Sequence, residues 1–206
     1  MKTDDDGYLD IFNGTSTNGF SFDPRFWSLE GGVLVGRATE ANPVPHNTFF
    51  VWNGEVRDFE LEVVLKVNGN NSGIQYRSEL FGEHRLRGPQ IDAHPNQPYV
   101  AMCYEEGGRG ILAERGTALT ITADGARTTA PLAGASAAAP DTGEWRTYRV
   151  VARGNRMEHF LDGVPTATVV DDSKERAKGG KIGFQIHGGE PTTVSVRSAR
   201  LKRLDA

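Results

Sequence analysis

The sequence predicts an all-β protein, a single antiparallel β-sandwich of jelly-roll type spanning residues 1–206. Three observations point there. Apolar residues recur at every second position in several stretches, the period of a strand with one buried face. No stretch carries an amphipathic helical period of useful length. Twenty-five glycines and 10 prolines are scattered through the chain, as many tight turns require. A length of 206 residues suits one sandwich better than two small domains, and no fixed repeat is present.

Taken in order, the segment ending in Ile11 and Phe12 reads as a first strand or anchored arm. Phe20, Phe22, Phe26 and Trp27 cluster around Pro24 and are expected to pin irregular chain into a core. WSLEGGVLVG at residues 27–36 reads as a hairpin about Gly31-Gly32. Residues 39–48 hold two prolines without periodicity and read as a loop, with His46 exposed in it. After a short strand at residues 49–52 comes the clearest element: Phe59, Leu61, Val63, Leu65 and Val67 alternate with Asp58, Glu60, Glu62, Val64 and Lys66, giving one buried and one wet face. Residues 68–73 read as a turn.

Two alternating segments follow, separated by LFGEHRLR. Alternation places Ile74, Tyr76 and Ser78 on one face and Gln75, Arg77 and Glu79 on the other; in the second segment Gln90, Asp92 and His94 share a face, backed by Ile91 and Ala93. YVAMCYEE is another strand, and its lone Cys103, among apolar neighbours, reads as a small core residue. Residues 111–129 suggest further short strands, and residues 131–140 a small-residue surface loop. EWRTYRVVARGNRMEHFLDGVPTATVVD contains three strands joined by turns at Gly154-Asn155 and Asp162-Gly163. The charged stretch at 171–181 is a candidate helical turn. KIGFQIHGG sets Gln185 and His187 opposite Phe184 and Ile186, and TVSVRSARLKRL closes the chain as a strand.

A formal net charge of −4 and a pI near 5.8 give no electrostatic footprint for nucleic acid or an acidic membrane, so neither is an expected partner. One cysteine excludes an internal disulfide framework and a multi-cysteine zinc site. The first residues show no apolar run behind a basic start. The expectation is a cytoplasmic protein as written, or a periplasmic or secreted one if a leader has been removed. Oligomeric state is not readable.

The order of motifs resembles the 3-keto-disaccharide hydrolase family, with its concanavalin-like jelly-roll domain. The residues that carry the resemblance are FNG at 12–14, WSLEGGVLVG, DFELEVVLKV followed by NSGIQYRS, GPQID, CYEEGGRG, EWRTYRVVARGNRMEHFLDG, and IGFQIHGG with VRSARLKRL. Each alone is weak; the eight in this order are specific. The chain departs from the family where Gly88-Pro89-Gln90 replaces a more usual extended Glu-x-Gln strand, and in lacking a leader.

The resemblance implies a saccharide whose glucose unit carries a ketone at C3. That ketone acidifies the hydrogen at C2, so a base removes it, the glycosidic oxygen at C1 leaves by elimination, and hydration completes a net hydrolysis. Such a site needs a base, an acid for the leaving group and a donor for the enolate oxygen. The candidates are Glu79 or His187 as the base and Arg77 for the enolate, with Gln75, Gln90, Asp92 and Gln185 on sugar hydroxyls. Tyr104 is a candidate flat face for the ring, and Arg109 a candidate reaching in from its glycine-rich loop. His159 stands on the groove or its rim. No recognised ligand spacing marks a metal site, and a divalent metal ion polarising the ketone stays an option without assigned ligands.

Each residue also has a duller reading. Arg77 and Glu79 pair across a strand, Asp92 and His94 precede a turn at Pro95, and His187 caps a strand end before Gly188-Gly189. At the level of function, a lectin-like carbohydrate-binding module on the same sandwich is the alternative to an enzyme, and a structural domain, in which the polar stripes fail to converge, is a third.

Overall fold

The computed structural model describes residues 3–136 and 143–204. It is all β: no α-helix occurs among these residues, and hence none long and apolar enough to cross a membrane. The strands in chain order are β1 (Leu9–Phe12), β2 (Phe20–Ser21), β3 (Trp27–Glu30), β4 (Val33–Ala38), β5 (Thr48–Trp52) and β6 (Phe59–Gly69). They continue with β7 (Ser72–Leu80), β8 (Leu86–Ala93), β9 (Cys103–Glu106), β10 (Gly110–Ala113), β11 (Thr117–Ile121) and β12 (Arg127–Pro131). The last five are β13 (Arg146–Arg153), β14 (Arg156–Leu161), β15 (Val164–Asp171), β16 (Lys181–Ile186) and β17 (Thr192–Arg203).

They form two sheets. The larger runs β12-β11-β15-β14-β13-β6-β17-β4-β3, with β1 also paired to β17; the smaller runs β10-β9-β8-β7-β16-β5-β2. All pairs are antiparallel except β11 with β15. The two sheets enclose one main apolar core in the jelly-roll arrangement the sequence predicts.

Strand β6 shows why this sequence folds this way. Phe59, Leu61, Val63 and Leu65 are at most 1% exposed, each burial stabilising by roughly 1.5–3 kcal/mol. Between them, Glu60 and Glu62 face outward and pair with Arg149 of β13 and Arg200 of β17, the strands on either side. The N-terminal aromatics pack as expected, Phe22 stacking on Phe50 at 4.6 Å and Trp27 lying 5.5 Å from the same ring. Cys103 is buried and free, its thiol pushed by burial up to about 12.

Three local expectations differ. Strands β6 and β7 extend into residues 68–73, leaving only Asn70 and Asn71 as the turn, because cross-strand pairing continues as far as Gly69 with Thr192. Residues 172–180 are turn and bend rather than helix, held by Asp171 accepting from the Ser173 amide and by Asp172 accepting from Asn155. The expected loop at 131–140 begins inside β12 at Pro131, and its residues 137–140 lie outside the described residues.

Candidate functional site

The site is built on the face of the smaller sheet turned away from the core. Cross-strand register sets Gln75 opposite Gln90 and Gly73 opposite Asp92, while Gln90 also faces Tyr104 and Tyr104 faces Ile111. Because Ile74, Tyr76 and Ile91 are fully buried in the core, their alternate neighbours must occupy the other face. On that face a cavity of about 280 Å³ opens, near the lower end of the range for small-molecule sites, roughly 300–1,000 Å³. Its titratable groups are Asp92, His94, His187 and Glu106, and Tyr99, Met102, Tyr104 and Ile111 give it an apolar wall. Asn71 and Asn47 complete the polar side.

Asp92 is 2% exposed and accepts a 2.6 Å hydrogen bond from Gln90 Nε2 on Oδ1. Burial, reinforced by the charge of Glu106 and opposed by the Gln90 bond, pushes its carboxyl up to about 7. Asp92 therefore exchanges a proton near neutrality. His187 Nδ1 lies 2.7 Å from the carbonyl oxygen of Gly188, which assigns the ring proton to Nδ1 and leaves Nε2 as an acceptor. His94 has its pKa lowered, chiefly by burial and further by the nearby His187, and its Nδ1 accepts from the Asn96 amide. Burial also raises the Tyr104 phenol, with Glu106 and Asp92 adding to it.

The side of the groove opposite the apolar wall is held by Asn47. Its Nδ2 donates to Glu106 Oε1 at 2.7 Å, and its Oδ1 accepts from the Gly188 amide at 2.8 Å. One amide thus ties the turn carrying His187 to β9. The floor is unusual in another way. Gln75 and Gln185 are fully buried, and neither amide nitrogen nor oxygen of either finds a partner; Gln90 Oε1 and Asn71 Oδ1 are likewise unpartnered. Buried amides without partners are costly, about 1–3 kcal/mol each, so a row of them calls for a ligand or water.

Of the residues singled out in the sequence, Gln90, Asp92, Tyr104 and His187 line this cavity, and Gln75 and Gln185 stand in the adjoining floor. Arg77, Glu79 and Arg109 do not. In β7 the register slips between Gln75 and Glu79, three residues opposing two on β8, and Arg77 adopts a positive φ of 48°. The bulge turns its side chain off the face occupied by Gln75 toward the larger sheet, where its guanidinium donates to the carbonyls of Arg57 and Gly154 and to Asp58. Arg77 thus stands outside the cavity of Asp92 and His187, and with Glu79 and Arg109 it lines a separate one of about 380 Å³. Glu79 lies beyond the bulge, exposed and paired with Arg87, away from the Asp92 cavity. Arg109 pairs with Glu105 and Asp171, clamping β9 to β15 of the other sheet, and does not reach the groove.

The same bulge bends the β7–β8 hairpin tip over the outer face. His84 O accepts from the Phe49 amide, and Leu86 joins Phe49 and Val51 in a small separate cluster; a side chain at Gly183 would come within 2.4 Å of Leu86 Cδ1. His159 sits between the sheets, 1% exposed, its Nδ1 on Met102 O and its Nε2 2.7 Å from Tyr76 Oη. Burial drives it down to about 3, so it is a neutral core histidine and not a rim residue. His46 lines a different pocket with Arg25 and His84.

Sequence reading missed Glu106, Asn47 and, apart from Tyr104, the apolar wall. Glu106 was accessible through its two-residue spacing from Tyr104; Asn47 was not, since its contact spans 59 positions. Among the described residues no group of three or more His, Cys, Asp or Glu is placed to hold a metal ion, so the divalent ion considered above has no ready set of such ligands there.

Comparison with known proteins bears on this arrangement. A family model for the 3-keto-alpha-glucoside-1,2-lyase-like domain matches residues 7–202. No curated protein matches the chain. Among solved structures, a candidate glycosyl hydrolase from Parabacteroides distasonis is similar at 21% identity and TM-score 0.64, covering 97% of this chain and 95% of its own. A carbohydrate-binding module from Bacillus subtilis is similar at 14% identity and TM-score 0.52, covering 94% of each chain. A Bacillus subtilis protein of unknown function with a galectin-like fold is similar at 9% identity and TM-score 0.57, covering 96% and 90%. At these identities the structural likeness establishes the fold.

Proposed function

The chain belongs to the 3-keto-alpha-glucoside-1,2-lyase-like family, and from that premise we propose that it cleaves 3-keto-glucosides by elimination across C1 and C2, followed by hydration. The observation that carries this reading is Asp92, a buried carboxyl with a pKa of about 7, in one cavity with the open Nε2 of His187. His187 Nε2 takes the C2 proton, and the electrons of that bond pass into the C3 carbonyl as an enolate. The enolate collapses to a C1–C2 double bond as the C1–O bond breaks, and Asp92, protonated on the oxygen not bound to Gln90, gives its proton to the leaving oxygen. Water then adds in reverse: Asp92 takes its proton as the oxygen bonds to C1, and His187 returns a proton to C2. Asn71 and Gln90 line the cavity and meet the sugar hydroxyls, the unpartnered amides of Gln75 and Gln185 stand in the floor behind them, and Tyr104 gives a face for the ring.

The test is incubation of a 3-keto-glucoside in deuterated water with wild type and His187→Ala. Wild type should incorporate deuterium at C2 of the released sugar, and the variant should lose turnover by about 10²–10⁴. Full turnover in the variant, or release without deuterium, overturns the assignment.

The unpartnered amides and the apolar wall also support a second reading, a site that holds a saccharide without cleaving it. Saturable binding of a 3-keto-glucoside with no aglycone released would select it.

A further inference from the structure

A second, larger groove of about 930 Å³ lies at the other end of β7, between the residues leading into β6, the segment preceding β16 and the end of β17. Its chemistry is unlike that of the first. Arg57, Lys174, Arg176 and Lys178 line it, and among the described residues no ion pair or side-chain hydrogen bond engages any of the four. Arg176 is half-buried with its Nε enclosed and unpartnered, close enough to Arg77 to lower that residue's pKa. Of two more cations, Lys181 pairs with the Glu55 carboxylate and Arg203 donates to the Glu55 main-chain carbonyl. Four uncommitted positive charges thus share one recess of a protein whose formal net charge is −4.

Like charges gathered in one recess repel one another, and an anionic ligand relieves that repulsion. The recess also carries Glu55 and Glu79, which would repel a uniformly charged polymer but accept hydrogen bonds from hydroxyls. No aromatic residue lines it, so it offers no stacking surface for nucleobases. The ligand that matches cations mixed with carboxylates presents hydroxyls interspersed with anionic groups. We propose that this groove binds an acidic glycan, a saccharide chain bearing carboxylate or sulfate groups, at a site separate from the cavity of Asp92 and His187.

The test uses the full-length protein and calorimetric titration with four probes of similar length: a polygalacturonate oligosaccharide, a sulfated heparin-type oligosaccharide, neutral dextran and single-stranded DNA. At least one acidic glycan should bind, weaken as salt rises, and lose about ten-fold or more in affinity in Lys174→Glu/Arg176→Glu/Lys178→Glu. Which of the two binds better identifies the anionic group. These substitutions lie outside the strands, and a matching Lys174→Gln/Arg176→Gln/Lys178→Gln variant with an unchanged melting temperature separates lost charge from lost fold. The proposal is overturned if neither acidic glycan binds, if dextran or DNA binds as tightly, or if the charge-reversed variant binds like wild type.

Discussion

Two buried polar clusters differ in whether the protein itself satisfies their hydrogen bonds. Between the sheets, Arg109, Glu105, Asp171 and Ser173 satisfy one another, and Tyr76 joins His159, which in turn reaches Met102 O. On the outer face, Gln75, Gln185, Gln90 and Asn71 leave amide atoms unpartnered. The first cluster is complete in the protein alone and holds the sheets together. The second finds no partner within the protein, so water or a ligand has to complete it.

The strongest way to break this contrast is Asp92→Asn. It should slow turnover of alkyl 3-keto-glucosides by about 10²–10⁴ while costing at most about ten-fold with a 4-nitrophenyl leaving group, which departs without an acid. A steady-state comparison of the two substrates checks it, and equal losses would remove Asp92 as the acid. The same variant has a signature in stability. Because the folded-state pKa of Asp92, about 7, lies above the unfolded value, its contribution is fully present below about pH 4 and is lost as pH rises through 7. Urea midpoints of wild type should therefore fall relative to those of Asp92→Asn between pH 4 and 7.

Next in size, Arg109→Met strands two carboxylates, of which Asp171 is 1% exposed, and should cost about 3 kcal/mol in urea unfolding with kcat per folded molecule unchanged. Tyr76→Phe leaves His159 Nε2 buried without its donor and should cost about 1–2 kcal/mol, again without a catalytic effect. The smallest effect has the opposite sign. Gln185→Leu removes an unpartnered buried amide and should stabilise the free protein by about 1 kcal/mol while raising KM several-fold. Destabilisation by Gln185→Leu would show that the outer amides, too, belong to the fold.

The features that were legible in the sequence are those set by short-range pattern. The period-2 stripe of β6 and the turns at Gly154-Asn155 and Asp162-Gly163 each depend on a few adjacent residues, and the structure follows them. The same rule gave the stripes of Gln75 and of Gln90 with Asp92, which strand pairing joins on one face. It failed at Arg77 and Glu79 because alternation assumes uninterrupted pairing, and one extra residue in β7 reverses every side chain beyond it. A trace of that irregularity is Gly88 on the facing strand, with φ of +145° and a Cβ position 2.6 Å from Ser78 Oγ, which only glycine tolerates. Asn47 and the Arg109 clamp depend on contacts 59 and 62 positions apart, which no local pattern encodes.

The bulge in β7 also separates two tasks that one hairpin would otherwise share. Upstream of Arg77 the strand is fixed by its neighbours on both sides and presents the floor; downstream, the tip meets the rest of the molecule through Leu86, the His84 carbonyl and the His84 ring, which lies 3.3 Å from Ser21 Oγ. Residues 82–85 line a pocket shared with Arg25, Phe26 and His46, apart from the cavity of Asp92 and His187. A change in the length or composition of this tip is therefore expected to reshape that pocket and to leave the positions of Asp92 and His187 unaltered.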